Sequence, residues 1–144
     1  MSYWPFIHLG DLLKQVDRFE AVNAASEYRL LGVRLEGAGP FLRETVTGTE
    51  TSANRLNQVK TGDFIYSRLF AWRGAFGVIP DELKDCFVSN EFPIFNVDEN
   101  RMDTSFINYW FRLPTVWKRV EDDCTGSTPL TRNRYKENLA LCDL

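Results

Sequence analysis

The chain has little of what catalysis and metal binding usually need. Its 144 residues include one histidine, His8, and three cysteines, Cys86, Cys124 and Cys142, which are widely spaced and odd in number. A lone histidine excludes a histidine metal cluster, and the cysteines fit neither a disulfide framework nor a CxxC metal site. GxSxG, HExxH, SxxK and P-loop patterns are also missing. We therefore expect no catalytic residue, no metal site and no cofactor.

Long apolar runs are missing too, and so is a signal peptide. The start of the chain, Met1–Pro5, has neither a basic nor an apolar region of the kind that directs export. These absences, together with the unpaired cysteines, predict a cytoplasmic protein that does not bind membranes. Hydrophobic residues make up 44% of the sequence and charged residues 26%, which is typical of one globular domain, while aromatic residues are plentiful at 14%.

The net charge of −3 argues against a protein that binds nucleic acid by overall charge. The charges are unevenly distributed, however. Residues 29–73 contain seven basic side chains against four acidic ones, whereas residues 81–103 contain seven acidic side chains against two basic ones. This pattern predicts one basic and one acidic face.

The segment 62–80 is the most informative part of the sequence. Alternation from Phe64 to Phe70 predicts a strand, which ends at the glycines Gly74 and Gly77. Arginines interleave with aromatic residues here, and guanidinium groups beside flat rings suit contact with phosphates and base edges. The alternative is an ordinary half-exposed strand, which has a similar composition.

The remaining pattern predicts a mixture of strands and helices. We expect strands over 28–36 and 88–97, a hairpin whose strands lie around Phe64 and Phe76, and an exposed connection over 44–54. Helical spacing follows over 103–113, with Asp103 or Thr104 as the N-cap, and over 114–121. The predicted fold class is α+β: a single domain with a twisted, mixed or antiparallel sheet flanked by a few helices.

Several blocks together resemble the target recognition domains of type I restriction–modification specificity subunits. They are 28–34, 37–43, 62–68, 74–77, 88–93 and 126–128 with Arg132. The resemblance covers nearly the whole chain, and it implies that residues 1–144 are a single DNA target recognition domain. The chain stops at Leu144, where the family continues toward a long spacer helix, so we expect that docking element to be missing.

The resemblance implies sequence-specific recognition of double-stranded DNA without catalysis. A full specificity subunit reads the two halves of a split site, and the modification (methyltransferase) and restriction subunits act on it. The expected partners are therefore DNA, those two kinds of subunit and a second specificity half-subunit. Two alternatives stay open. One is a truncated protein-interaction remnant that pairs with specificity or modification subunits without reading DNA, and the other is an enzyme whose site lacks histidine.

Candidate DNA-binding residues follow from combining the resemblance with the arginine pattern. Arg68 and Arg73 are expected to contact bases or phosphates, with Tyr66 and Trp72 shaping that surface. Asn90 either touches DNA or fixes its own loop through backbone hydrogen bonds. The full set is Arg34, Arg43, Tyr66, Arg68, Trp72, Arg73 and Asn90, with Arg132, Arg134 and Lys136 as phosphate anchors. The alternatives are an Arg68 ion pair with Asp63 or Glu91, and a core role for Trp72.

Overall fold

The computed structural model describes residues 9–122, and all structural statements concern this range. It contains nine strands: β1 Leu13–Gln15, β2 Phe19–Ala21, β3 Glu27–Arg34, β4 Gly39–Thr47, β5 Arg55–Gln58, β6 Phe64–Tyr66, β7 Phe76–Val78, β8 Phe87–Val88 and β9 Ile94–Val97. Its helices are α1 Leu9–Leu12, α2 Thr104–Trp110 and α3 Pro114–Asp122, with 3₁₀ turns at Ala71–Arg73 and Asp81–Leu83. Within the described range no helix is long and apolar enough to span a bilayer.

The strands form two sheets. One has four strands in the order β1-β9-β6-β7, and the other has five in the order β2-β5-β8-β3-β4. Strand pairs are antiparallel except for β3 with β8. The α+β class and the mixed pairing are confirmed, although the strands divide between two sheets where one was expected.

The two sheets and the helices form three layers. Phe64 and Tyr66 on β6 pack in a cluster with Ile107 and Phe111 of the helical region. Ile65, between them, instead packs with Leu31 and Val88 of the five-stranded sheet. Since neighbouring residues of β6 face opposite layers, this short strand is buried on both sides at the centre of the fold.

The two C-terminal helices form where the sequence predicts them. Asp103 is the N-cap of α2, because its carboxylate accepts a 2.7 Å hydrogen bond from the Ser105 N–H. Val116 and Val120 are the buried residues of α3, and they pack in the cluster beneath the four-stranded sheet. The helical spacing therefore reports core packing, as in other amphipathic helices.

Three strand predictions differ from the structure. β6 ends at Tyr66. The Ser67 N–H donates to the Ala75 carbonyl, and the Ser67 hydroxyl accepts the Phe70 N–H, which turns the chain. The predicted strand over 88–97 is two strands, separated by a turn in which the Phe92 N–H bonds to the Ser89 carbonyl. Residues 44–47 extend β4, so only 48–54 form a connection.

A buried ion pair fixes the start of β6. Asp63, which is 2% exposed, receives two hydrogen bonds from the Arg18 guanidinium, at 2.7 and 3.2 Å. It also accepts the Lys60 N–H at 2.8 Å. Because the Asp63 carboxylate pairs with Arg18, the alternative ion pair between Arg68 and Asp63 does not form.

Candidate nucleic-acid interface

Most of the candidate residues lie at one end of the two sheets. β3 and β6 end here, while β4, β7 and β9 begin here, so their connecting turns come together. Arg34, Arg68 and Arg73 belong to these turns or to the strand ends beside them. We call this the arginine end.

The opposite end of the four-stranded sheet is acidic. Its turns follow β7 and β9 and precede β6, and they carry Asp81, Glu82 and Glu99, all exposed. Gly62 lies here as well, since its N–H donates to the Ile79 carbonyl. The fold therefore gives the arginine end an excess of basic side chains, alongside the exposed Glu36, and the acidic end an excess of acidic ones, alongside the exposed Lys60 and Arg101.

Arg68 lies in the turn that leaves β6. Its N–H donates a 2.9 Å hydrogen bond to the Glu91 carbonyl, which ties this turn to the one between β8 and β9. The side chain is half-buried, and its Nε is buried without a hydrogen-bond partner among the described residues. An unpaired buried donor is costly in a finished fold and calls for an explanation, of which a bound ligand is one.

Trp72 and Arg73 form the 3₁₀ turn that follows. Trp72 is half-buried, packs against the core and donates its indole N–H to the Leu69 carbonyl at 3.1 Å. The Arg73 side chain is exposed, and its guanidinium carbon lies 5.7 Å from the centroid of the Trp72 ring. Trp72 is therefore a support for Arg73, with one face in the core.

A tight hairpin turn places Arg34 beside this segment. The turn is Leu35–Ala38, closed by a hydrogen bond from the Ala38 N–H to the Leu35 carbonyl. Its two central residues, Glu36 and Gly37, have φ angles of 58° and 73°, as type I′ hairpin turns require. We call Leu35–Ala38 the hairpin tip.

The hairpin tip docks on the 3₁₀ turn. The N–H groups of Glu36 and Gly37 donate to the carbonyls of Arg73 and Gly74, at 2.8 and 2.9 Å. Arg34 immediately precedes the tip, and its guanidinium stacks 4.2 Å from the centroid of the Phe41 ring. Arg34 and Arg73 thus come from distant parts of the chain to the same end of the fold.

Arg112 joins this group, and the sequence reasoning missed it. It lies between α2 and α3, is exposed, and packs so closely on the hairpin tip that a Cβ added to Gly37 would be 2.8 Å from its Cα. Its surroundings in the sequence, Phe111 and Leu113, indicate a helix junction and give no sign of a basic partner.

Arg43 lies at a β-bulge on the five-stranded sheet. Leu30 is opposite Glu44 and Leu31 is opposite Leu42, so Arg43 is the extra residue. Its exposed guanidinium is 3.3 Å from the Glu44 carboxylate. Arg43 also lines a cavity of about 220 Å³ together with Ser52, Ser89 and Phe92.

The cavity connects Arg43 with the turn that carries Asn90. Ser89 fixes this turn, since its hydroxyl accepts the Glu91 N–H and its carbonyl accepts the Phe92 N–H. Asn90 is exposed and makes no side-chain hydrogen bond within the described part of the chain. Ser89 therefore has the loop-fixing role, which leaves Asn90 available for an external contact.

Tyr66 is placed differently from the other candidates. It is fully buried, with its ring 5.8 Å from that of Phe76 and 5.9 Å from that of Phe95. The alternation of β6 puts it on the same face as Phe64, toward the helices. This corrects the expectation for Tyr66: it belongs to the core beneath the arginine end and is not part of its surface.

Other candidates cannot be located. Arg132, Arg134 and Lys136 lie outside the described residues.

Between residues 9 and 122, no group of three or more His, Cys, Asp and Glu side chains is arranged to hold a metal ion.

Known structures share this arrangement of strands and helices, although sequence comparison identifies no relative. No protein-family profile matches the chain, and no curated protein is significantly similar to it. The fold matches the HsdS subunit from Thermoanaerobacter tengcongensis with a TM-score of 0.69 and 12% sequence identity. It also matches a chain from a structure of complex assembly and conformational transition in the type I R-M system, with a TM-score of 0.71 and 12% identity.

Both matches cover 95% of this chain and 36% of the solved chain. The protein therefore spans about a third of the length of the chains it resembles. The expected resemblance is confirmed at the level of structure: this chain has the α+β fold of part of a type I restriction–modification specificity subunit.

Proposed function

We propose that this chain is a DNA target recognition domain that reads one half of a split site in double-stranded DNA. In this role it directs the methyltransferase and restriction subunits of a type I restriction–modification system to that site. The observation that carries the proposal is the fold match to HsdS over 95% of the chain. The domain itself would be non-catalytic and cytoplasmic, and the chemistry would belong to its partners.

The arginine end supports this proposal independently of the fold match. Arg68 has a buried Nε without a partner, and Arg73 is exposed on a turn held by main-chain hydrogen bonds. Arginine forks suit bidentate contacts with guanine edges and with phosphates. Arginines on turns that main-chain hydrogen bonds hold in place are suited to contacts with phosphates and with base edges.

The test is a selection from a randomised duplex library: the purified chain binds the library at low and at physiological salt, and the bound duplexes are sequenced. The expected result is a short motif that survives the higher salt and is lost in the Arg68→Ala, Arg73→Ala variant. The matched control is Arg101→Ala, an exposed arginine in the turn after β9, at the acidic end. If no motif is enriched at either salt, autonomous DNA reading is contradicted.

A second candidate is a protein-interaction domain that does not read DNA. Two large aromatic side chains on α2 favour it, since Phe106 is 46% exposed and Tyr109 is 61% exposed. They lie three residues apart and so share one helix face. Exposed aromatic groups are common at protein interfaces.

Co-purification with a modification subunit separates the two candidates. An interaction domain should lose this partner in a Phe106→Ser, Tyr109→Ser variant and keep it in the Arg68→Ala, Arg73→Ala variant. Partner binding that is unchanged by the α2 substitutions would contradict the use of this face.

A further inference from the structure

We infer that Arg112 binds a phosphate of the DNA backbone, as the third member of a cluster with Arg34 and Arg73. This inference rests on the proposed function, since it assigns one more contact to the same DNA. It concerns a residue from a helix junction that neither the sequence pattern nor the comparisons single out. The three residues are named below as the arginine cluster.

Three separate segments meet at the arginine cluster. The hairpin tip bonds to the carbonyls of Arg73 and Gly74, while Arg112 packs against Gly37 on the tip. A Cβ on Gly37 would lie 2.8 Å from both Cα and Cγ of Arg112, so the stem of this side chain also lies against the tip. The position of Arg112 relative to the tip is therefore fixed by backbone contact.

A second contact fixes the helical side of the cluster. A Cβ added to Gly74 would be 2.5 Å from Trp117 on α3, so α3 lies directly on the 3₁₀ turn. Trp117 also donates its indole N–H to the Phe111 carbonyl at 2.7 Å, next to Arg112. The main chain beneath the cluster is therefore held by packing, and the planar guanidinium fork loses little entropy for each hydrogen bond that it forms with an anion.

The charges of the cluster are not neutralised within the fold. Arg34, Arg73 and Arg112 are exposed, and none forms an ion pair with a carboxylate of residues 9–122. Lys118, a few residues beyond Arg112, instead pairs with Glu121 and Asp122. Three exposed guanidinium groups at one end of the fold, against the single carboxylate of Glu36 on the hairpin tip, leave a net positive charge that favours an external anion.

The position of Arg112 favours a phosphate over a base. Arg112 contacts the hairpin tip, and the tip also bonds to the 3₁₀ turn that carries Arg73, which follows the turn of Arg68. A duplex whose base edges reach Arg68 would present its sugar–phosphate backbone on either side of that contact. A guanidinium fork matches the two free oxygens of a phosphodiester.

The test is a salt titration of binding for the wild-type chain and the Arg112→Ala variant, each with a fluorescent duplex of random sequence and with any enriched motif. We expect Arg112→Ala to weaken binding to both duplexes alike, by about tenfold near 0.1 M salt, and to reduce the salt slope by about one. Arg112→Lys should recover most of the affinity, because the charge remains. Thermal unfolding shows whether each variant is folded.

The controls separate this inference from the proposed function. Arg101→Ala removes one exposed arginine at the acidic end and should change neither affinity nor salt slope. If wild type enriches a motif while Arg112→Ala binds with unchanged affinity and slope, the phosphate contact is refuted and DNA reading stands. A loss confined to the motif would also refute it, since that result indicates base reading. If wild type binds no duplex, both proposals fail.

Discussion

The main-chain N–H of Glu36 donates a 2.8 Å hydrogen bond to the carbonyl oxygen of Arg73, across 37 positions of sequence. This bond joins the tip of one sheet to a turn of the other. It also brings Arg34 to the same end of the fold as Arg68 and Arg73, which lie more than 30 positions later in the sequence. The geometry of the arginine end therefore depends on the backbone of the hairpin tip, and that dependence can be measured.

Gly37→Ala should disrupt the arginine end. Gly37 has a φ of 73°, and a Cβ there would be 2.8 Å from the Arg112 backbone. The left-handed conformation alone costs a non-glycine residue about 1–2 kcal/mol, and the close contact adds to this cost. We expect a loss of about 2–3 kcal/mol in the free energy of unfolding, measured by urea denaturation, with weaker DNA binding.

Gly39→Ala is the matched control for that substitution. Gly39 has a similar φ of 86°, but a Cβ there would have no neighbour within 4 Å. Its cost should be the conformational one alone, about 1–2 kcal/mol. Equal losses for the two variants would contradict the role of close packing between Gly37 and Arg112.

Arg18→Met should destabilise the fold strongly without touching the arginine end. It leaves the Asp63 carboxylate buried, with only the Lys60 N–H as a partner. Removing one member of a buried pair costs about 3 kcal/mol or more. Arg55→Ala breaks the exposed pair with Asp17, at 3.9 Å, and should cost less than about 1 kcal/mol in the same denaturation experiment. Similar losses for both variants would contradict a special role for the buried pair.

The sequence allowed the helices to be predicted better than the pairs between distant residues. Asp103 and the spacing of Val116 and Val120 are local signals, and both match the structure. The Arg18–Asp63 pair joins positions 45 apart, and no local pattern reveals it. Arg68 also formed part of a predicted strand, because its alternation with aromatic residues is indistinguishable from that of a strand until the hydrogen bonds of Ser67 are known.

Local sequence also explains in part which candidate residues lie at the arginine end. Arg34 and Arg73 stand close to the glycines Gly37 and Gly74, so their position beside a turn can be predicted, whereas the alternation of Arg68 predicts a strand. Tyr66 follows the same pattern but is buried, since the helices cover its face of β6. Arg112 comes from the helical region and reaches the cluster only through tertiary packing.

The Cys86 thiol should be unreactive in the folded protein. It is fully buried, and burial raises its pKa; Arg29 opposes this rise, and Asp85 adds to it by a smaller amount. In a background with Cys124 and Cys142 replaced by serine, iodoacetamide should modify Cys86 far more slowly in buffer than in urea. Equal rates would contradict its burial.

The raised pKa of Cys86 also makes stability depend on alkaline pH. The folded state keeps the thiol proton where the unfolded state loses it, so this contribution is fully present below the ordinary thiol pKa and declines as pH rises above it. The free energy of unfolding should therefore fall more steeply with pH than in a Cys86→Ala variant of the same background. Parallel pH profiles would contradict the link.

Arg43 and Glu44 provide a test of charge at the bulge, since their side chains lie 3.3 Å apart and both are about half exposed. Such a pair contributes little to stability, so Arg43→Ala and Glu44→Ala should each change the free energy of unfolding by less than about 1 kcal/mol.

The effects of Arg43→Ala and Glu44→Ala on the affinity for DNA should have opposite signs. Removing Arg43 takes away a cation near Ser89 and Phe92, whereas removing Glu44 frees that cation for a phosphate. Fluorescence anisotropy at low salt should show weaker binding for Arg43→Ala and tighter binding for Glu44→Ala. A change of the same sign in both would mean that the pair acts through the shape of the bulge, and Arg43 would then leave the set of DNA contacts.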